Sequence, residues 1–274
     1  MSSDTFLGID FSGNHDMWGP GCSKSNVWIA VVSAGSALAL RELYRVQQLP
    51  GPGHPFDRLA VRLSADEYTG AAIDAPFSVP QRYVPAGGHP VLLSKIDSAC
   101  ADTSRRFVDG ATFVTTLAGT PRVEPPKPLR KTEEHWSSLG VNTRSTMWAG
   151  IRGGAPMTAA CVTLLHRAAR PMWPWRSETQ AFLVEAFPAA QLRTWGLPTV
   201  KYNGASAQAR KTRNEIVSVL GSRVTLGQFA PTVLAEADAL DAVLCAFAAV
   251  AVATGRMAVP PATSSDEGWI AVHA

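Results

Sequence analysis

The sequence has few cysteines and no long hydrophobic segment. Its four cysteines are scattered, without the Cys-x-x-Cys spacing or a nearby histidine, which excludes a disulfide framework and a structural zinc site. The longest apolar run, residues 242–253, falls short of the ~20 residues that a membrane-spanning helix requires. The first ten residues lack the basic segment of a signal peptide. We therefore expect a cytoplasmic protein without membrane contacts.

The composition is that of an ordinary globular protein, but the charge is unevenly distributed. Charged residues make up 17% of the chain and the net charge is +3. Residues 121–176 carry nine lysines and arginines against three glutamates. Such a basic segment is typical of proteins that bind a phosphate backbone, and it is equally typical of a solvated surface. Nucleic acid is therefore an expected partner.

Short apolar runs predict an α/β fold in one domain, 1–274. Strands are expected at 5–10, 27–32, 37–46, 71–74 and 181–185, with the first three in an antiparallel meander. Helices are expected at 55–64, 92–108, 157–169, 206–220 and 233–254. Residues 79–180 hold many prolines and tryptophans, which predicts a cap subdomain inserted between strands four and five.

Acidic side chains follow three of these apolar strands. Asp10, Asp74 and Glu185 each stand at the carboxyl end of a strand. Asp238 and Asp241 are three residues apart on the last helix, so they would project from one face and repel each other. Taken alone, this pair is better explained by helix capping, because acids in the first turns suit the helix dipole. The three acids at strand ends shift the balance toward a shared site.

The order of the predicted elements is that of the ribonuclease H-like fold, a mixed five-stranded sheet flanked by helices in which strands one and four are neighbours. Such a sheet would bring the acids to one end. Crowded carboxylates favour hard divalent cations, so we expect Mg²⁺ or Mn²⁺ as cofactor. Two such ions about 4 Å apart activate water and stabilise the leaving oxygen in phosphodiester hydrolysis.

Five sequence blocks resemble an uncharacterised microbial family of ribonuclease H-like nucleases. They are residues 8–13 (GIDFSG), 73–78 (IDAPFS), 185–188 (EAFP), 238–247 (DALDAVLCAF) and 267–270 (EGWI). The Asp-x-x-Asp helix is also similar to that of RuvC-type Holliday-junction resolvases. The resemblance implies that Asp10, Asp74, Glu185 and Asp241 are catalytic and bind the metal, with Asp238 as a supporting ligand. RuvC-type enzymes have glutamate at the position of Asp74 and no counterpart of Glu185.

Cationic and aromatic residues are the candidates for substrate binding. Arg144, Lys201 and Arg210 are candidate phosphate ligands, although salt bridges are their default role. His15, in the loop after Asp10, is a candidate proton carrier. The tryptophans of the insertion, Trp136, Trp148, Trp173 and Trp175, are candidates for stacking on unpaired bases, with burial in the core as the alternative. The oligomeric state stays open, with a homodimer as one option.

Three functions therefore compete. The first is a metal-dependent nuclease acting on structured or single-stranded nucleic acid. The second is an ATP-dependent phosphotransferase of the actin-like and sugar-kinase superfamily, because Gly-Ile-Asp-x-x-Gly also opens the phosphate loop of that fold. Asp74 is followed by Ala-Pro-Phe rather than by a glycine-rich loop, which disfavours it. The third is a ribonuclease H-like scaffold that binds a partner without catalysis.

Overall fold

A mixed β-sheet forms the centre of the protein. The computed structural model describes residues 4–101, 105–176, 180–259 and 266–274, and seven strands in this part of the chain form one sheet. The strands are β1 (Thr5–Ile9), β2 (Trp28–Ala34), β3 (Leu38–Arg45), β4 (Gly70–Ile73), β5 (Met172–Trp173), β6 (Phe182–Glu185) and β7 (Val224–Thr225). Their spatial order is β5-β6-β4-β1-β2-β3-β7. The prediction of five strands missed β5 and β7, which are too short to give a hydrophobic period.

The pairing of the long strands matches the predicted pattern. β1, β2 and β3 are antiparallel neighbours, which confirms the meander. β1 pairs with β4 in parallel, and β4 pairs with β6 in parallel. The carboxyl ends of β1, β4 and β6 therefore lie at the same edge of the sheet.

Nine helices flank the sheet within the described residues. They are α1 (Pro55–Ser64), α2 (His89–Cys100), α3 (Gly110–Ala118), α4 (Lys131–Ser138), α5 (Ala155–Ala168), α6 (Pro188–Thr194), α7 (Ala207–Leu220), α8 (Ala230–Ala235) and α9 (Ala237–Thr254). Helices α1, α5 and α7 lie where the periodicity predicted them. The predicted helix 92–108 was too long, because α2 ends at Cys100; its residues 102–104 lie outside the described part of the chain.

The predicted helix 233–254 was also wrong in one respect. Glu236 is extended, with φ −111° and ψ 115°, and so separates α8 from α9. Asp238 consequently lies in the first turn of a new helix, where the positive end of the dipole favours a carboxylate.

Two hydrophobic clusters cover the two faces of the sheet. Leu7, Ile9 and Ile73 point to one face and pack with buried residues of α1, α2, α3 and α5. Phe6, Ala72 and the intervening positions of the strands point to the other face, which α9 covers with residues of α6, α7 and α8. The alternation follows from the two-residue period of a strand.

The segment 79–180 supplies one of these layers. Its helices α2, α3 and α5 share a buried cluster with β1 and α1. The proposal of a separate cap subdomain there stays a prediction.

Helix α9 is the one helix of the described residues that is apolar and long enough to cross a membrane, with a mean hydropathy of 1.8. In this fold 72% of it is buried inside the protein, as in the core helix of a soluble protein. The α/β architecture agrees with the sequence analysis, whereas the cytoplasmic location stays a prediction.

Candidate functional site

The register of the parallel strands brings two of the predicted acids together. Ile9 and Ile73 are paired, and the backbone N–H of Asp74 donates to the carbonyl of Ile9 at 2.9 Å. Asp10 and Asp74 each follow these paired residues directly. They therefore continue two adjacent strands at the same level, on the side of the sheet that α9 covers.

Helix α9 adds a third acid because it packs unusually close to β1. A Cβ on Gly8 would lie 2.0 Å from the carbonyl oxygen of Ala242, so only glycine permits this approach. Asp241 precedes Ala242 and is 9% exposed. The close packing thus places the Asp241 carboxylate beside Asp10.

Burial and mutual repulsion raise the pKa values of these three carboxyl groups. The pKa of Asp10 lies well above its ordinary value, first through burial and then through Asp241 and Asp74. Burial, and then the charge of Asp74, likewise raise the pKa of Asp241. The pKa of Asp74 is raised to about 7 by burial and by Glu185, while Arg144 lowers it. A cation near the three carboxyl groups would therefore stabilise their charged forms.

Two further polar groups act on this acid cluster, defined here as Asp10, Asp74 and Asp241. The hydroxyl of Tyr202 donates to Oδ1 of Asp241 at 2.9 Å and favours its charged form. Asp238, one turn before Asp241, is partly exposed, and its charge raises the pKa of Asp10 and of Asp241. Asp238 thus lies close enough to act on the cluster, and its role as a supporting metal ligand stays a prediction.

Glu185 is held differently from the other acids. It pairs with Ile73 rather than with Asp74, so its position in the strand alternation is that of the opposite face of the sheet. Its two carboxylate oxygens accept hydrogen bonds from Arg130, at 2.8 and 2.5 Å, and one also accepts from the backbone N–H of Phe77 at 3.0 Å. An internal cation already neutralises Glu185.

Arg130 is the centre of a buried ionic network. It is fully buried and also donates to Oε1 of Glu133 at 2.8 Å and to the carbonyl of Glu267 at 3.0 Å. Burial by itself would lower the pKa of Arg130, but Glu133 and Glu185 raise it above its ordinary value. The guanidinium is therefore permanently charged. Glu267 is 6% exposed and accepts from the backbone N–H groups of Gln81 and Lys131.

A cavity of about 770 Å³ opens at this edge of the sheet. Asp74, Glu185 and Asp241 line it, and Asp10 precedes the lining residue Phe11. The residues at the start of α5 also line the cavity, so the positive end of that helix dipole faces it. The cavity combines a carboxylate floor with groups that attract anions.

The predicted phosphate ligands are only partly gathered here. Arg144 and Lys201 line the cavity, and Arg144 acts electrostatically on Asp74. Arg210 is exposed on α7 and is not a lining residue. Lys201 has φ +65°, a backbone conformation that side chains rarely adopt, beside the buried Tyr202. Arg144 and Lys201 therefore fit a role at the cavity, whereas the position of Arg210 gives it no contact with the cavity wall.

The chemistry of the acid cluster suits a hard divalent cation, but the arrangement of its side chains is not that of a formed metal site. Asp10, Asp74 and Asp241 offer carboxylate oxygens, the ligands that such ions prefer. The pKa values of these carboxyl groups are raised, and a bound cation would lower them. Among the described residues, however, no group of three or more His, Cys, Asp or Glu side chains surrounds a common ion position. A cation held by all three carboxylates would therefore require an arrangement of these side chains different from the one described.

Other candidates from the sequence lie away from the cavity. His15 stacks on Phe107 at 3.9 Å between ring centroids. Trp136 is buried, and Trp175 stacks on His89 at 3.8 Å. Trp148 lines a separate, smaller cavity. None of these lines the cavity.

Sequence reasoning missed Tyr202 and Arg130. Tyr202 follows Lys201, a candidate phosphate ligand, but nothing in the sequence links Tyr202 to Asp241, which is 39 positions away. Arg130 belongs to the basic segment and has the appearance of a surface residue. The strand alternation was the available signal for Glu185, because Phe182 and Val184 face α9 and Glu185 is one residue out of phase with them.

Comparison with known proteins gives a family and no described relative. No curated protein and no solved structure matches the chain. One family model matches residues 8–265, a range that contains Asp10, Asp74, Glu185, Asp238 and Asp241. The chain belongs to the family described as protein of unknown function (DUF429).

Proposed function

We propose that the protein is a metal-dependent nuclease that hydrolyses phosphodiester bonds in structured or single-stranded nucleic acid. The observation that carries the proposal is the acid cluster: Asp10, Asp74 and Asp241, from the ends of two strands and from a helix, lie together beside a large cavity, and Asp74 and Asp241 raise the pKa of Asp10. Buried carboxylates without a counter-charge destabilise the folded state, and destabilising groups of this kind are typical of functional sites. A bound cation would remove the repulsion.

The fold supports the same proposal. The five longer strands have the order β3-β2-β1-β4-β6, with an antiparallel meander followed by parallel strands. We interpret this order as that of a ribonuclease H-like sheet. Fold alone does not specify function, so the argument depends on the acids at the carboxyl edge of β1 and β4.

Each residue has a separate role in this proposal. Asp10, Asp74 and Asp241 would hold Mg²⁺ or Mn²⁺, and Asp238 would support Asp241. The ion, when bound, would activate water and stabilise the departing oxygen. Arg144, Lys201 and the start of α5 would attract the phosphate group and orient it. Glu185 would fix the cavity wall through Arg130 instead of contributing a free carboxylate.

The direct test is cleavage of labelled branched, single-stranded and RNA–DNA hybrid substrates with Mn²⁺, and in parallel turnover of ATP. We expect metal-dependent cleavage that falls by about 100-fold or more in Asp10→Asn and in Asp241→Asn. The matched control is Asp66→Asn, because Asp66 is an exposed aspartate paired with Arg170.

Two results would reject the proposal. Cleavage that survives in both cluster variants would assign it to a contaminant. ATP turnover without cleavage would favour a phosphotransferase.

A further inference from the structure

A second cavity lies next to the first and carries positive charge. Its volume is about 210 Å³, and its lining includes Arg122, Met147, Trp148 and Gly150. Lys127 Nζ lies 4.3 Å from the Trp148 ring centroid, and the Arg122 guanidinium carbon lies 6.0 Å from it. Two exposed cations are thus held over one indole ring, an arrangement that keeps them near each other despite their repulsion.

The Trp148 ring packs against its own loop. A Cβ on Gly150 would lie 2.8 Å from the indole nitrogen, so glycine lets the backbone pass close to the ring. A Cβ on Gly153 would lie 1.7 Å from the carbonyl oxygen of Trp148, so glycine there lets the loop close on the Trp148 backbone. The ring lies between this loop and the two cations.

One loop forms a wall of both cavities. Residues 147–150 line the smaller cavity, while residues 142–144 and 153–154 of the same loop line the cavity of the acid cluster. A ligand chain that leaves the larger cavity over this loop would meet Arg122 and Lys127 next. Among the described residues, neither cation forms a salt bridge, so both charges are available to an anionic partner.

We propose that Arg122 and Lys127, supported by Trp148, form a phosphate-binding subsite for the nucleic acid strand that extends from the cavity of the acid cluster. This inference rests on the proposed function and adds the direction in which the strand runs. Phosphodiester groups fit because the subsite offers two separate cations, and successive phosphates along a strand present separate negative charges. The neighbouring tryptophan serves as the support of the cations.

The test measures binding of single-stranded oligonucleotides of increasing length, with fluorescence anisotropy at several salt concentrations. The variant is Arg122→Gln with Lys127→Gln, which keeps much of the side-chain volume. The matched control is Arg82→Gln, because Arg82 is an exposed arginine over Tyr83 that lines neither cavity.

We expect the double variant to bind long oligonucleotides at least tenfold more weakly, with the slope of log affinity against log salt reduced by about 1.4, the value for two lost phosphate contacts on a single strand. Oligonucleotides too short to reach the subsite should bind equally well to the variant and the wild type. Arg82→Gln should leave both quantities unchanged.

Three outcomes overturn the inference. Unchanged affinity and salt slope on long strands would leave no role for the subsite. An equal loss in Arg82→Gln would assign the effect to net charge. If the wild-type protein binds no nucleic acid of any length, the proposed function fails and the subsite fails with it, which distinguishes this case from the first.

Discussion

At the scale of single residues, Tyr202 controls the charge of Asp241 through one hydrogen bond of 2.9 Å. Its removal in Tyr202→Phe takes away a donor to the charged carboxylate, so the pKa of Asp241 should rise further. We expect cleavage to fall about tenfold, as for other partners of metal ligands, and the acidic limb of the pH–rate profile to move to higher pH. Tyr44→Phe on strand β3 is the control, because the Tyr44 hydroxyl interacts with Arg62. A lower rate with an unshifted profile would reduce Tyr202 to a packing role.

Asp74 gives a prediction about stability and pH in the metal-free protein. Its pKa is raised from 3.8 to about 7, so the folded protein binds a proton that the unfolded chain releases. Ionisation of Asp74 in the folded state is unfavourable, so the free energy of unfolding falls as the pH rises from about 4 to about 7. Asp74→Asn should therefore match the wild type near pH 4 and exceed its melting temperature at pH 7.5.

The comparison with Asp74→Asn is needed because His89 works in the other direction. Burial lowers the pKa of His89 to about 4, so its contribution to stability grows as the pH rises toward 6.5. Both proteins share this term, so their difference reports Asp74 together with its effect on Asp10 and Asp241, whose pKa values it raises. Added Mn²⁺ should raise the melting temperature of the wild type and have little effect on the variant. A variant less stable than the wild type at pH 7.5 without metal would contradict the account.

At the scale of the elements, the packing of α9 against β1 depends on Gly8. A methyl group at this position would meet the backbone of α9, at Ala242 and Ala246, and neither can move without shifting the helix. We expect Gly8→Ala to lower the free energy of unfolding by about 3 kcal/mol, measured by urea denaturation. Gly21→Ala is the control, because a Cβ there has no neighbour within 4 Å. A wild-type midpoint for Gly8→Ala would refute the close approach.

Some helices and strands could be predicted from the sequence, and others could not. The strands β1, β2, β3, β4 and β6 were predictable because short apolar runs end at loops, and the acids after them marked the functional edge. Helix α4 and the break at Glu236 were not predictable, because a short polar helix has no strong period and an extended residue between two helices leaves no sequence signal.

The positions of Asp10 and Asp74 were predictable because each follows a short apolar strand, and Asp241 was identified by its spacing from Asp238 on the last helix. Both signals require only the local pattern. The partner of Glu185 lies 55 positions earlier in the chain, and long-range pairing of this kind depends on the folded arrangement. Nothing in the sequence distinguishes Arg130 from the other cations of its segment.

At the scale of the whole molecule, Arg130 connects parts of the chain that are distant in sequence. It bonds to Glu133, Glu185 and the carbonyl of Glu267, so it joins α4, β6 and the C-terminal segment. Arg130→Gln leaves two buried carboxylates without a counter-ion, and we expect a loss of about 3–5 kcal/mol in the free energy of unfolding.

Two variants serve as controls for the network. Arg210→Gln removes an exposed arginine and should have little effect on stability. The triple change Arg130→Met, Glu133→Gln and Glu185→Gln removes the charges together and should cost less than Arg130→Gln alone. A triple variant that is less stable than the single one would show that the ion pairs themselves stabilise the fold.

The central claim is that the acid cluster binds a divalent cation. Anomalous scattering from crystals soaked in Mn²⁺ tests it most directly, with Asp10→Asn crystals treated in the same way for comparison. The account predicts a manganese peak within coordination distance of Asp10, Asp74 and Asp241 that is lost in the variant, with Glu185 still bound to Arg130. Density for Mn²⁺ elsewhere only, or none in crystals soaked at a concentration that saturates binding in solution, would contradict it.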